Sequence, residues 1–172
     1  MSLSEERSYY CLHENNVHDL SYQKFVQPLF EQVIQRALPL SQGLDYGCGD
    51  GPVLSYLLEE KGFAMVRYDP YFLPDESSLK QKYDFIVCCE VAEHFFLPLL
   101  EFRRLLSMLK SSGFLGLMTQ IYRDDIDFGN WHYRRDPTHV SFYTETCIKW
   151  IAQSLGFSKV WTDEKQVVIL QC

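Results

Sequence analysis

The sequence feature that most constrains the fold is a run of glycines at alternate positions, directly after a short apolar segment. Residues 43–51 read GLDYGCGDG, with glycine at positions 47, 49 and 51. Glycine adopts backbone conformations with positive φ and lets the main chain approach a ligand, because it has no Cβ. A strand, such a loop and a following helix together predict a ligand site at the carboxyl end of the strand.

Strand-like and helix-like segments alternate through the rest of the sequence. Apolar runs typical of buried strands are 44–46, 63–68, 83–89 and 114–119, and two more, 157–161 and 167–170, predict a closing antiparallel pair. Apolar residues recur at helical spacing between several of these runs. The order indicates one α/β domain over residues 1–172: a doubly wound, mostly parallel sheet of the seven-stranded type with a C-terminal antiparallel hairpin.

Composition excludes several classes of protein. The net charge is −7 and no basic stripe is present, so nucleic acid is not expected as a partner. The sequence shows neither a signal peptide nor an apolar run of membrane-spanning length, which argues against membrane insertion. The six cysteines have no C-x-x-C spacing and are typical of buried thiols in a reducing cytoplasm. We therefore expect a cytoplasmic protein; its oligomeric state is left open.

The glycine run does not fit the two common phosphate-binding patterns. A dinucleotide fingerprint G-x-G-x-x-G that starts at Gly47 requires glycine at position 52, where the sequence has Pro52. The phosphate loop G-x-x-x-x-G-K-[ST] is also absent. A nicotinamide-dependent oxidoreductase is therefore a weak alternative.

Together with three further segments, the glycine run resembles the class I S-adenosylmethionine-dependent methyltransferases. The segments are DYGCGDG (45–51), YDPYF (68–72) and YDFIVCCEVAEHF (83–95), and DPTHVSFYT (136–144) is similar to the branch that includes quinone-biosynthesis methyltransferases. The resemblance implies S-adenosylmethionine as cofactor and methyl transfer to a small-molecule acceptor, at oxygen or nitrogen. The alternative is a non-catalytic S-adenosylmethionine-binding partner or regulatory protein.

The resemblance also implies which residues hold the cofactor. Asp45 is expected to hold the ammonium group, and Asp69 to accept both ribose hydroxyls, although Asp69 and Pro70 are equally typical of a plain turn. Tyr71 or Phe72 is expected to pack on the adenine. The full expected set is Asp45, Gly47, Cys48, Gly49, Asp69, Pro70, Tyr71, Phe72, Cys89 and Glu90.

One interval departs from the family pattern. Residues 70–83 separate Asp69 from Asp84, and the family usually places a helix, a third strand and an adenine-binding acid there. So short an interval predicts that this strand unit is shortened or missing. The adenine is then held in a different way.

The long connection 120–143, QIYRDDIDFGNWHYRRDPTHVSFY, is rich in aromatic residues and is predicted to be a substrate lid loop. The candidates to orient a substrate or take its proton are His94, His132, His139 and Tyr143, with Tyr133 beside them. For Glu93 and His94 the alternative is that they cap and brace the next helix, and for His139 it is a structural hydrogen bond. The pattern E-x-x-E-H with His139 leaves Mg²⁺ or Mn²⁺ open, but no metal is assigned.

Residues 1–40 are predicted to form an N-terminal helical arm. Its regular helix is expected to begin near Pro28, since proline is tolerated in a first turn. In similar enzymes such a segment covers the cofactor, which makes Tyr9, Tyr10, His13 and His18 candidates for that position. The alternative is an exposed, partly ordered arm.

Overall fold

A computed structural model describes residues 16–172, and these residues form an α/β fold around one sheet. The described strands are β1 (Gln42–Tyr46), β2 (Ala64–Tyr68), β3 (Tyr83–Cys89), β4 (Leu109–Met118), β5 (Lys159–Thr162) and β6 (Val167–Gln171). Their order across the sheet is β2-β1-β3-β4-β6-β5. β1 to β4 pair in parallel, whereas β6 is antiparallel to both β4 and β5. The predicted fold class, including the C-terminal antiparallel pair, is confirmed.

Helices cover both faces of the sheet. They are α1 (Leu20–Arg36), α2 (Val53–Glu60), α3 (Pro98–Met108) and α4 (Glu145–Leu155). The side chains of β3 show why the sheet has to be covered on both faces. Phe85 and Val87 belong to the hydrophobic cluster of α1 and α2, whereas Ile86 and Cys88 belong to that of α3 and α4. Successive side chains of a strand point to opposite faces, so a continuous apolar run needs cover on both.

The third strand unit is missing, as the sequence predicts. Between β2 and β3 the chain forms one short 3₁₀ turn, Ser78–Lys80. The Tyr83 hydroxyl donates to the Ser78 carbonyl at 2.6 Å, which holds this turn against the start of β3. β2 is therefore an edge strand, and the residues after Asp69 form the border of the sheet.

The expected start of the first helix is wrong. Helix α1 begins at Leu20, where the Asp19 side chain accepts hydrogen bonds from the N–H groups of Ser21 and Tyr22. Pro28 lies inside this helix and cannot donate to the carbonyl one turn earlier. The buried side chains Val26, Leu29, Phe30 and Val33 compensate by packing on the sheet.

Among the described residues of the predicted arm, 16–40, α1 packs against α2 and β4. Tyr9, Tyr10 and His13 lie outside the described residues, and the His18 ring contacts the Tyr56 ring edge-on at 5.6 Å. Within residues 16–172, no helix combines the length and the apolar composition that crossing a membrane requires.

Candidate functional site

A cavity of about 830 Å³ opens at the carboxyl ends of β1, β2 and β3. This is the edge where ligands bind in doubly wound sheets, and the volume is in the range of ligand pockets. All the residues expected to hold the cofactor line it: Asp45, Gly47, Cys48, Gly49, Asp69, Pro70, Tyr71, Phe72, Cys89 and Glu90. Among the catalytic candidates His94, His132 and His139 also line it, and Tyr143 does not.

Gly47 and Gly49 are required for different physical reasons. Gly47 has φ +83°, and a Cβ there would lie 2.5 Å from a methyl group of Val91. Its N–H donates to the Tyr68 carbonyl at 2.8 Å, which fixes the loop to the end of β2. Gly49 has φ +64°, but a Cβ there would meet nothing within 4 Å. Gly47 therefore serves packing, whereas Gly49 borders open space at the cavity.

Asp69 joins the glycine loop to the segment after β2. Its Oδ2 accepts from the N–H of Gly49 at 3.0 Å, and its Oδ1 accepts from the N–H groups of Tyr71 and Phe72 at 2.8 and 3.0 Å. A carboxylate has about four acceptor positions. Three are in use, so one position is left for the contact that the sequence predicts with the two ribose hydroxyls. The turn and the ligand contact are compatible in this geometry.

Asp45 is a buried carboxyl group on the cavity wall. It is 3% exposed, and the Ser55 hydroxyl donates to its Oδ2 at 2.6 Å. Burial raises the pKa of Asp45 to about 6, although the hydrogen bond from Ser55 opposes part of this shift. A cationic group in the cavity would favour the ionised form of Asp45.

Glu90 follows β3 with an uncommon backbone conformation. Its φ is +54°, a region that residues other than glycine rarely adopt, and its N–H donates to the Met118 carbonyl at 2.8 Å. Burial raises the pKa of the Glu90 carboxyl group, and the neighbouring Glu93 carboxylate raises it further. Backbone strain of this kind is concentrated at ligand sites.

The turn Ala92–His94 is tied to the end of the predicted lid by several hydrogen bonds. The Glu93 carbonyl accepts from the N–H groups of Val140 and Ser141, both at 2.9 Å. His94 Nδ1 lies 3.0 Å from the Thr138 carbonyl oxygen. Hydrogen bonds therefore hold this part of segment 120–143 beside the cavity, whereas residues 123–125 and 127–130 are exposed.

Tyr143 is placed in the core and not in the cavity. Its side chain is 2% exposed, and its hydroxyl donates to the Ala92 carbonyl at 2.8 Å. The parallel bridge between Ile121 and Tyr143 draws the two ends of segment 120–143 together and brings Tyr143 inward. Tyr143 therefore braces the Ala92–His94 turn from behind and has no access to a substrate.

His139 is half-buried and close to Tyr133. Its Nδ1 lies 2.7 Å from the Tyr133 carbonyl oxygen, and the centroids of the His139 and Tyr133 rings are 4.2 Å apart. Burial lowers the pKa of His139, although Asp136 opposes the shift, so the neutral imidazole is favoured. The Tyr133 hydroxyl is within 3.1 Å of the Thr119 hydroxyl, and burial raises the pKa of Tyr133 well above its usual range.

His132 lies at the exposed edge of the site. Its Nε2 is 3.1 Å from the Gln120 side-chain nitrogen, and the Gln120 side-chain oxygen accepts from the Trp131 ring N–H at 3.1 Å. His132 is thus held by the Gln120 side chain, which in turn is held by the Trp131 ring N–H. Its ring is separate from the group formed by His94 and His139, whose centroids are 4.9 Å apart.

Glu93, His94 and His139 bring three potential metal-binding atoms together. One donor atom from each lies within 4.8 Å of the others. Glu93 is completely buried, and neither of its carboxylate oxygens has a hydrogen-bond partner among the described residues. Burial raises the pKa of the Glu93 carboxyl group.

Sequence reasoning missed several cavity residues because they come from distant elements. Tyr22 and Phe25 reach the cavity from α1. Tyr46 stacks on Tyr68 at 5.3 Å, and its hydroxyl donates to Glu101 on α3 at 2.9 Å. The position of Tyr46 directly before the glycine run was the one sequence signal that pointed to it.

Comparison with known proteins identifies related domains. A family model described as a methyltransferase domain matches residues 22–161, which is most of the chain. No curated protein matches this chain.

Solved structures with a similar fold agree with that match. A SAM dependent methyltransferase from Archaeoglobus fulgidus has a TM-score of 0.66 and 17% identity over 87% of this chain and 94% of that one. Magnesium protoporphyrin IX methyltransferase (ChlM) from Synechocystis PCC 6803, with bound SAH, has a TM-score of 0.62 and 19% identity over 99% and 93%. The CurJ carbon methyltransferase has a TM-score of 0.58 and 17% identity over 87% of this chain, and the match covers only 53% of that protein. At such low identity the likeness concerns the fold.

Proposed function

The chain belongs to the family of methyltransferase domains and is an S-adenosylmethionine-dependent enzyme, and we propose that it methylates an oxygen or nitrogen atom of a small-molecule acceptor. The observation that carries this proposal is the position of His94 and His139, two imidazoles 4.9 Å apart in the cavity that the glycine loop borders. The acceptor atom and the roles of individual residues are the parts proposed here.

The residues at the carboxyl ends of β1 and β2 fit the cofactor. S-adenosylmethionine carries an ammonium and a sulfonium cation, and the buried Asp45 and the loop-clasping Asp69 supply negative charge on the cavity wall. Asp69 retains one acceptor position for a ribose hydroxyl, and the open side of Gly49 leaves room for the ligand. When bound, the cofactor supplies a methyl group on a positively charged sulfur, already activated for displacement.

The remaining task of the protein is to position the acceptor and remove its proton. Oxygen and nitrogen acceptors carry a proton that has to leave for the atom to attack well. Burial keeps His139 neutral near physiological pH, so its ring is able to accept a proton. His94 lies beside it, held by the Thr138 carbonyl. Holding the acceptor at these rings supplies most of the remaining catalysis through orientation.

The walls of the cavity favour a partly apolar acceptor. Tyr46, Tyr68 and Phe95 form an aromatic surface on one side, where the Tyr46 and Tyr68 rings are stacked. Segment 136–144 is similar to the quinone-biosynthesis branch, and we include a ring-bearing acceptor of that kind in the proposal. The lid role of residues 120–143 is part of the same proposal, supported by His132, Tyr133 and His139 in the cavity lining.

An acceptor screen tests this proposal. Purified protein is incubated with S-adenosylmethionine labelled in the methyl group and with panels of phenols, catechols, amines and carbon nucleophiles, and products are identified by mass spectrometry. We expect O- or N-methylated products, and we expect their formation to fall at least tenfold in His139→Ala but not in Gln153→Ala, an exposed position on α4. Methylation at carbon would contradict the proposed acceptor atom. Cofactor binding without any turnover would favour a non-catalytic binding protein.

A further inference from the structure

The strongest unexplained feature is the buried carboxylate of Glu93. It is 0% exposed, and both oxygens have no hydrogen-bond partner in the described part of the chain. An unpartnered buried carboxylate is costly, because it has lost its water and gained no donor in return. The Glu90 carboxyl group and the Tyr133 side chain are neighbours of this carboxylate, and His94 Nε2 is 4.0 Å from Glu93 Oε1. A cation at this point would compensate the buried negative charge.

The two histidines beside Glu93 are oriented as metal ligands usually are. A carbonyl oxygen only accepts, so the Nδ1 atoms that face the Thr138 and Tyr133 carbonyls, at 3.0 and 2.7 Å, must carry the protons. In each neutral ring Nε2 then has the lone pair. Metal-binding histidines commonly have their second ring nitrogen fixed in this way by a carbonyl or a carboxylate.

The three donors lie close enough to share one ion. One atom from each of Glu93, His94 and His139 lies within 4.8 Å of the others. Ligands about 2.1 Å from a metal lie roughly 3 to 3.5 Å apart, so side-chain movements of about an ångström close the site. The two hydrogen bonds that the Glu93 carbonyl accepts from Val140 and Ser141 hold the main chain of the lid beside this group.

We propose that Glu93, His94 and His139 bind one divalent first-row transition-metal cation beside the cavity. Two imidazole nitrogens and one carboxylate suit Mn²⁺, Fe²⁺, Co²⁺ or Zn²⁺, whereas Mg²⁺ and Ca²⁺ prefer an all-oxygen set. Three protein ligands leave coordination positions for water or for an acceptor oxygen. An acceptor hydroxyl bound there would lose its proton more readily, and the cation would then take the place of the His139 ring as the group that assists deprotonation. That catalytic role rests on the proposed function, but the binding of the cation does not.

The experiment is a titration of the full chain, freed of metal by a chelator, with Co²⁺ and then with Mg²⁺. Visible absorption of Co²⁺ reports imidazole ligands, and calorimetry gives the stoichiometry and Kd. We expect one Co²⁺ per chain, no competition by equimolar Mg²⁺, and at least about tenfold weaker binding in Glu93→Gln, His94→Gln and His139→Gln. His18→Gln, an exposed histidine elsewhere, is the matched control and should bind as the wild type does.

The outcomes separate this inference from the proposed function. Each variant is also titrated with S-adenosylhomocysteine, and unchanged affinity shows that its fold is intact. Absence of saturable Co²⁺ binding to the wild type, or equal Co²⁺ affinity in correctly folded ligand variants, overturns the metal site while leaving methyl transfer intact. Co²⁺ binding without methyl transfer overturns the proposed function and supports the site.

Discussion

The main-chain N–H of Gly49 donates a hydrogen bond to Oδ2 of Asp69 at 3.0 Å, which joins the loops after β1 and β2. The other carboxylate oxygen accepts from the N–H groups of Tyr71 and Phe72. One side chain thus shapes the cavity wall on both sides and still presents an acceptor position to a ligand. These three hydrogen bonds form a clasp between the two loops.

Replacing Asp69 by asparagine tests the clasp. An amide has one oxygen and one NH₂ group, so whichever loop faces the NH₂ group meets a donor in place of an acceptor. We expect S-adenosylhomocysteine affinity, measured by calorimetry, to fall roughly tenfold to a hundredfold, about 1.5–3 kcal/mol. Asp124→Asn, an exposed aspartate on the lid, is the control. An unchanged affinity in Asp69→Asn would show that the carboxylate charge is unimportant.

The two glycines of the loop should respond differently to alanine. A Cβ at Gly47 would lie 2.5 Å from Val91, whereas one at Gly49 would meet no atom within 4 Å. Both have positive φ, which costs roughly 1–2 kcal/mol for alanine. We expect Gly47→Ala to reduce the free energy of unfolding in urea by clearly more than Gly49→Ala does. The double variant Gly47→Ala/Val91→Ala separates the contact from the backbone cost, and the account is wrong if both single variants lose the same stability.

Asp45 should make the protein less stable as the pH rises. The pKa of Asp45 in the folded state is about 6, above the ordinary value of 3.8, so the folded state binds the proton more tightly than the unfolded state does. The stability that this proton contributes is complete below pH 4 and is lost as the pH rises through about 6. The difference corresponds to about 3 kcal/mol at pH 8.

Asp45→Asn removes this dependence, because an amide does not ionise and its oxygen still accepts from Ser55. We expect the unfolding free energy of the variant, relative to wild type, to be higher at pH 8 than at pH 4.5. We also expect weaker binding of S-adenosylhomocysteine, since the negative charge that we propose to hold its ammonium group is lost. A constant difference between variant and wild type across this pH range would contradict the raised pKa.

Tyr143 should matter for stability and not for chemistry. Tyr143→Phe removes the hydrogen bond from its hydroxyl to the Ala92 carbonyl and leaves the buried ring in place. We expect the free energy of unfolding to fall by about 1 kcal/mol, with kcat unchanged within a factor of about two. A large loss of kcat at unchanged stability would return Tyr143 to the catalytic residues.

Local signals made part of the site predictable from the sequence. The glycine run and Asp69 each follow an apolar strand, and parallel strands end at one edge of the sheet, so their meeting could be expected. The short interval after Asp69 likewise predicted the missing strand unit, because chain length limits what can form there. Thr119 and Glu90 follow the other two central strands and reach the same edge.

Packing between distant segments could not be predicted in this way. Tyr22 and Phe25 reach the cavity from the first two turns of α1. This helix continues through Pro28, although proline usually breaks or kinks a helix in its interior. Tyr143 has a catalytic type of side chain, but the bridge to Ile121 turns it into the core. Residue type indicates possible chemistry, whereas exposure decides whether a ligand can reach it.

The most direct test of the central claim is a calorimetric titration of the wild-type protein with S-adenosylhomocysteine, with NADH as the competing dinucleotide. We predict one site per chain, displacement of S-adenosylhomocysteine by S-adenosylmethionine, and no displacement by NADH. Absence of S-adenosylhomocysteine binding, or displacement by NADH at similar concentration, would contradict the assignment of the glycine loop and of every residue around it.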